Sequence, residues 1–347
     1  MSSNPVTRRG TVFVTRRGTV FAAALMSASL LLTACGSDGD GDGTGNKAAA
    51  GTRGDKSAEI RSVKAENGTV EIPAAPRRIV TIGNTNLPFI DLGGKPVGVT
   101  EVSDAELAVL PKEQKAAYEA AEVVGSSGGD VDLEKLAALK PDLILVQFHT
   151  NDWDKVGKRL ESIAPTVLWG LDTEWKAFAG EIAEAGNVTD ELGRQKAEFE
   201  KKVARIKKTH RKTIDGTKFV DVSRGDWSDP GTFYIADIGC SEIARDDIGL
   251  DLPAAAEGKD PLAYESLPFE QIGELSTYDV ITYPVDAEGR PTEPFVPVTK
   301  TNTWKALPTV TSGRALGVFC PGNNSYGPVN QYLDSLDGAL AALAGKL

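Results

Sequence analysis

Val131-Asp-Leu-Glu-Lys-Leu-Ala-Ala-Leu-Lys-Pro-Asp-Leu-Ile-Leu145 is the stretch that decides the fold. Leu133, Leu136 and Ala137 recur at helical spacing, so 132–138 reads as a short helix with one apolar face. Pro141 cannot continue that helix, and Asp142 opens an apolar run, 143–147, of the length expected for a buried strand. Comparable runs stand at 79–82, 97–100, 166–169, 219–222, 280–283 and 315–319. Short apolar runs alternate with helical patterns from Glu59 onward, which predicts βαβ units and mostly parallel sheet.

One segment breaks the alternation. From Asp190 to about Lys212, Leu192, Phe199, Val203 and Ile206 fall on one face of a long helix. Thr189 suits its N-cap, Asp190 and Glu191 its first turn, and Lys207, Lys208, Arg211 and Lys212 its last turns. Such a helix spans roughly 30 Å, about one domain diameter. It reads either as a long surface helix or as a strut between two lobes, 59–172 and 213–347, with 173–212 as the helical linker.

The N-terminus is an address. Arg8-Arg9 and Arg16-Arg17 precede an apolar core, 21–32, that is too short to span a bilayer. Leu32-Thr-Ala-Cys35 follows at once and looks like a bacterial lipobox, making 1–34 a signal peptide and Cys35 the lipid anchor. The repeated Thr-Arg-Arg-Gly-Thr-Val-Phe, at 7–13 and 15–21, leaves both Sec and twin-arginine export open. Residues 36–58 are Gly-, Asp- and Ala-rich, a flexible tether. Asp38-Gly-Asp-Gly-Asp42 imitates a calcium loop, but Ala49 stands where a bidentate Glu is needed.

The 347 residues carry 38 basic and 49 acidic side chains, a net charge of −11. Four arginines and no acid lie in the first 35 residues, so the rest holds 34 bases against 49 acids, a net of −15. No nucleic-acid partner is expected of so acidic a body. Two His and three Cys exclude a zinc finger or a many-His metal cage. In an exported chain the two cysteines beyond the anchor, Cys240 and Cys320, are expected to pair, with two buried thiols as the alternative. The closed loop would stabilise the fold by about 4–5 kcal/mol.

Gly125-Ser-Ser-Gly-Gly129 satisfies the nucleophile-elbow pattern around Ser127. A hydrolase would then need His149 or His210. The first follows too closely, and the second falls on the long helix. The same residues also make a simple turn. No P-loop and no Ser-x-x-Lys sequence is present.

The stronger candidates leave the carboxyl ends of strands, where ligands sit in open α/β sheets. Arg224 and Trp227 follow 219–222; the Arg offers a planar fork for an oxyanion or metal-bound oxygen, the Trp a stacking face. Asn84 and Asn86 follow the first run, and Phe148, His149 and Trp153 follow 143–147. Trp169, Tyr283, Asn323 and Tyr326 end or follow three others. An aromatic, amide-rich rim with one Arg suits binding more than acid–base chemistry.

Gly68-Thr-Val-Glu-Ile-Pro-Ala-Ala-Pro-Arg-Arg-Ile-Val-Thr-Ile82 resembles the opening of the periplasmic iron–siderophore-binding family. So do Gly93-Gly-Lys-Pro-Val-Gly-Val99, the 131–145 stretch, Ile163-Ala-Pro-Thr-Val167 and Trp304-Lys-Ala-Leu-Pro-Thr-Val-Thr-Ser-Gly-Arg-Ala315. The resemblance covers about 66–347. It implies two Rossmann-like α/β lobes joined by one long α-helix, with the ligand cleft between them and little lobe movement. It also implies a lipid-anchored monomer on the extracellular face of the membrane that delivers its ligand to an ABC permease. Hydroxamate binders of that family place an Arg and a Trp where Arg224 and Trp227 stand. Acids on both lobes dock the permease, here Asp132, Glu134, Glu270 and Glu274. With one Arg on an acidic body, a neutral or cationic ferric hydroxamate of the ferrioxamine kind is expected, its iron already coordinated, so that no cofactor is required. Haem or cobalamin remains the alternative within this fold, and a secreted serine hydrolase at Ser127 the remoter one.

Overall fold

The computed structural model describes residues 59–347 apart from 127–129, 149, 225–230, 237–238, 254–265 and 323, and only the backbone of 150–152. The described residues all belong to one compact unit. The first lobe runs β1 (Ile60–Ala65), β2 (Gly68–Pro73), β3 (Ile79–Gly83), α1 (Asn86–Asp91), β4 (Gly98–Thr100), α2 (Asp104–Val109) and α3 (Lys112–Glu119). It continues through β5 (Glu122–Gly125), α4 (Leu133–Ala138), β6 (Leu143–Gln147), α5 (Thr150–Glu161) and β7 (Thr166–Trp169). Next come α6 (Trp175–Gly186), α7 (Thr189–Thr209) and α8 (Arg211–Ile214). The second lobe holds β8 (Phe219–Arg224), β9 (Thr232–Ile235), α9 (Cys240–Ile243), β10 (Ser266–Pro268), β11 (Val280–Val285), α10 (Val296–Lys300), α11 (Asn302–Ala306), α12 (Pro308–Thr311), β12 (Ala315–Phe319) and α13 (Tyr326–Ala342).

Asp132 caps α4, accepting from the backbone N–H groups of Glu134 at 3.1 Å and Lys135 at 3.0 Å. Beyond Pro141, both carboxylate oxygens of Asp142 take the N–H groups of Arg77 and Arg78 at 2.8 Å, aligning the start of β6 with the start of β3. All five residues of β6 are buried, as a strand covered on both faces requires. The first sheet is parallel, in the order β5-β4-β3-β6-β7. The chain steps outward from β3 in both directions, so β3 and β6 mark the point where strand order reverses.

The second sheet, β10-β9-β8-β11-β12, is parallel only across β8, β11 and β12; β9 and β10 are antiparallel. That departs from the parallel expectation: β9 pairs back on β8, and β10 on β9, both antiparallel. The hairpin β1–β2 was equally unanticipated: its exposure alternates residue by residue along β1, where apolar runs mark the other strands. It closes the outer edge of the first sheet through Asn67, whose amide donates to Thr166 O at 3.0 Å and accepts from Leu168 N at 3.2 Å.

The linker is two helices, broken at Asn187, which holds a left-handed conformation at the end of α6. Thr189 is the first residue of α7, and Val188 holds the cap position without a side-chain bond. Phe199 and Ile206 of α7 are buried in the second lobe's core, and Leu192 packs against both cores. Along α6, Trp175 and Ala179 belong to the second core, Phe178 and Ile182 to the first. His210 Nε2 and Asp337 Oδ1 of α13 are hydrogen-bonded at 2.6 Å. Cys240 and Cys320 form the expected disulfide, 80 positions apart, joining the start of α9 to the end of β12.

One carboxylate ties the lobes directly. Asp91, at the end of α1, accepts from Ser325 Oγ at 2.8 Å and Gly327 N at 3.0 Å, both at the start of α13. Gln114 of α3 donates to it at 2.8 Å, and Gln195 of α7 donates to its backbone carbonyl at 2.9 Å. Burial pushes its pKa up, and the Ser325, Gly327 and Gln114 bonds oppose that.

A Cβ on Gly327 would lie 2.0 Å from Asp91 Oδ1. Gly327→Ala is therefore expected to destabilise the protein by about 2–3 kcal/mol, read as a lower urea midpoint. Gly338→Ala, on the same helix with open space around it, should instead gain about 0.5–1 kcal/mol. A second test concerns Asp221 of β8, which accepts from Thr282 Oγ1 at 2.7 Å and whose pKa desolvation pushes up to about 7 from an ordinary 3.8. The folded protein holds this proton where the unfolded chain has lost it, so this contribution is full below pH 4 and falls away as pH rises to about 7. Asp221→Asn should remove that slope, and thermal melts from pH 4 to 8 should show the variant gaining on the parent toward pH 7.

Candidate functional site

The turn after β3 is built from polar side chains that satisfy one another. Gly83 has φ +68°, and a Cβ there would lie 2.3 Å from Gln147 O, so no other residue fits the approach of β3 to β6. Its N–H donates to Thr100 Oγ1 at 2.9 Å. Asn86 accepts from Thr81 Oγ1 at 2.8 Å and donates to Thr100 O at 3.1 Å and Thr100 Oγ1 at 2.9 Å. Thr85 Oγ1 donates toward Ile82 O and Leu145 O, each at 3.0 Å. The carboxyl ends of β3, β4 and β6 are thereby fixed together.

Above this platform lies a cavity of about 300 Å³ walled by both lobes. The first lobe supplies the turn after β3, Asp91, the loop after β4 with Glu101 and Val102, Glu106 and Val109 of α2, and Leu110 just after it. The second supplies Pro321, Gly322, Asn324 and Ser325 after β12, with Pro328 and Gln331 of α13. The lining mixes amides, apolar surface and three carboxylates, Asp91, Glu101 and Glu106. Among the described residues that line it, none is Lys, Arg or His.

Of the residues expected at the rim, Asn84 and Asn86 line this cavity. Asn84 is exposed. Asn86 is buried with both ends of its amide hydrogen-bonded, so it holds the turn. Arg224 is the last residue of β8 and half-buried, at the carboxyl edge of the second sheet. Trp153 is half-buried on α5, its indole filling the space over Gly157, where a Cβ would meet it at 2.5 Å.

The other aromatics turn inward. Phe148 is in the first lobe's core. Trp169 is buried as well, its indole N–H donating to Glu181 at 2.7 Å and its ring edge-on to Phe178 at 5.7 Å. Tyr283 lies inside β11, which runs on to Val285, and stacks on Phe295 at 5.6 Å. Tyr326 is buried against Trp175 at 4.9 Å and Phe199 at 5.5 Å, between second-lobe core and linker. Trp169 and Tyr326 are thus packed as core rings: Trp169 ends a four-residue strand and falls within the layer of covering helices, and Tyr326 opens α13 against the linker. Trp227, Asn323, His149, Ser127 and Cys35 lie outside the described residues. The four acids considered for docking, Asp132, Glu134, Glu270 and Glu274, are all exposed.

Asp91, Glu101, Glu106 and Gln114 had no part in the sequence reading. Asp91 could have been found as the one charge inside Leu87-Pro-Phe-Ile-Asp-Leu92. Glu101 follows a strand's carboxyl end, by the rule that singled out Asn84.

The family described as periplasmic binding protein matches residues 79–315, from the start of β3 to the start of β12. The iron(3+)-hydroxamate-binding protein FhuD of Bacillus subtilis is 27% identical over 290 residues, 81% of this chain and 84% of that protein. The putative ABC transporter substrate-binding lipoprotein YhfQ of the same organism is 31% identical over 156 residues, 44% of each. A solved structure, the siderophore periplasmic binding protein from the fuscachelin gene cluster of Thermobifida fusca, superposes with a TM-score of 0.66 at 25% identity, over 78% of this chain and 99% of that one. The hydrolase reading of Ser127 falls with this result. The family match takes in strands of both sheets and the helical bridge between them, and the chain belongs to the periplasmic binding protein family, whose members bind solutes for transport rather than transform them.

Proposed function

We propose that this protein captures a ferric siderophore, a hydroxamate of the ferrioxamine kind, outside the cell and hands it to an ABC permease. The relative named for iron(3+)-hydroxamate binding and the neighbour from a siderophore gene cluster support the ligand class. The observation that carries the choice within it is the cavity lining: carboxylates, amides and apolar surface, with no base among the described residues. An anionic tris-catecholate or citrate complex would meet repulsion there, whereas a neutral or cationic hydroxamate would not. Iron arrives as cargo, its coordination shell filled by the siderophore, and no resident cofactor takes part.

We assign Arg224, which ends β8 at the carboxyl edge of the second sheet and is not among the residues that line the cavity, to the metal-bound hydroxamate oxygens, a charge-assisted contact worth more than a neutral one. Apolar side chains such as Leu87, Val109 and Leu110 suit the methylene spacers. The lipobox at Cys35 and the lipoprotein name of the relative YhfQ support anchoring at the outer face of the membrane. Exposed Glu134 and Glu270, one on each lobe, are the acids we assign to permease docking.

Tryptophan fluorescence titration with ferrioxamine B, ferrichrome, ferric citrate, haemin and cobalamin tests the proposal. A hydroxamate should quench saturably at nanomolar to micromolar concentration, and Arg224→Ala should weaken it by about tenfold or more. Saturation by haemin or cobalamin alone would overturn the siderophore reading.

A further inference from the structure

Resting on the siderophore reading, we propose that Glu101 and Glu106 form a charge-reading subsite of the interlobe cavity, which takes a protonated amine arm extending from the ferric hydroxamate. The cavity, walled by both lobes of a solute-binding protein, gives the place; its side chains give the specificity.

Three carboxylates line it, and they are not equivalent. Asp91 is buried and occupied by Ser325, Gly327 and Gln114. Glu101 and Glu106 are exposed to the cavity's mouth. Glu101 leaves the carboxyl end of β4, and its N–H is tied to Gly125 O at 2.9 Å. Glu106 is held by the capping box of α2, its Oε2 accepting from Ser103 N at 3.1 Å and Ser103 Oγ at 2.6 Å. The two share one neighbourhood: besides burial, both their charges push up the pKa of the Tyr118 hydroxyl, which accepts from Val102 N at 3.0 Å.

A carboxylate pair beside apolar surface suits a flexible alkylammonium. Val102, Val109 and Leu110 lie alongside and can cover an alkyl stem while the cationic head stays at the wet mouth, as lysine side chains do on protein surfaces. Three carboxylates and no base among the described lining residues make the potential there negative, and it concentrates cations. The cleft then selects among ferric hydroxamates by the charge of the arm and not by the iron centre, which all of them share.

Three complexes with one iron centre separate these terms: ferrioxamine B with its free amine, the N-acetylated complex and the N-succinylated one, carrying a positive, a neutral and a negative arm. Kd values for the full chain should rise in that order. The amine should be preferred over the acetyl complex by about fivefold or more, and the preference should shrink in about 0.5 M salt. In Glu101→Gln/Glu106→Gln the ratio of the two Kd values should fall to near one. Gln preserves the capping box, and circular dichroism verifies the variant's fold. A ratio near one in the parent, or a preference that survives the double substitution, overturns the subsite and leaves the siderophore reading intact. Binding of none of the three by the parent overturns that reading and the subsite with it.

Discussion

A single buried carboxylate sets the relation between the lobes. Asp91 belongs to the first lobe by sequence, yet two of its hydrogen bonds come from the first turn of α13 in the second. A helix N-terminus offers unsatisfied N–H groups and a partial positive charge, so a carboxylate there is both hydrogen-bonded and electrostatically favoured. The desolvation that raises its pKa is the cost of this placement, and the three donors are the offset. Because α13 also pairs along α7 through Lys202–Asp334 and Arg205–Asp337, the lobes meet at a covalent bridge and at a polar junction together. The cavity lies beside that junction and shares Asp91, Gln114 and Ser325 with it.

Much of this architecture is legible in the sequence because buried parallel strands are continuous apolar runs. Strands β6, β7 and β12 fall at the limits that their composition predicts, and the apolar stripe Leu192, Phe199, Val203, Ile206 marks the face that α7 buries. The strands that escape notice obey a different rule. β1 and β2 alternate in exposure, β5 is largely exposed, and β9 and β10 are short and antiparallel. Their places are set by partners distant in the chain, information that local periodicity does not carry.

The site was legible at its edge and not in its interior. The rule that ligands sit at strand carboxyl ends led to Asn84 and to Arg224. It also drew in Trp169 and Tyr326, which are core rings, since an aromatic at a strand end satisfies a pattern for binding and a pattern for packing equally well. Asp91 shows in the sequence only as the one charge inside an apolar stretch, and Gln114 not at all, because each matters through a partner on another element. The electrostatic reading fared differently: acidity counted over the whole chain reappears, locally and more sharply, in the carboxylates that line the cavity.

The wall that the second lobe contributes is fastened at both ends. Just before Pro321 stands the Cys240–Cys320 bond, and at Ser325 and Gly327 stand the hydrogen bonds to Asp91. The described residues at its two ends, beside a covalent stop and a buried carboxylate, have little conformational freedom left to lose. A ligand that fits it binds without first ordering the wall, so less of the contact energy is consumed by preorganisation. The same stiffness narrows the repertoire: a ligand of another shape meets a surface that does not yield, and recognition must shift to the opposite wall, where α2 is held at its start by its own capping box.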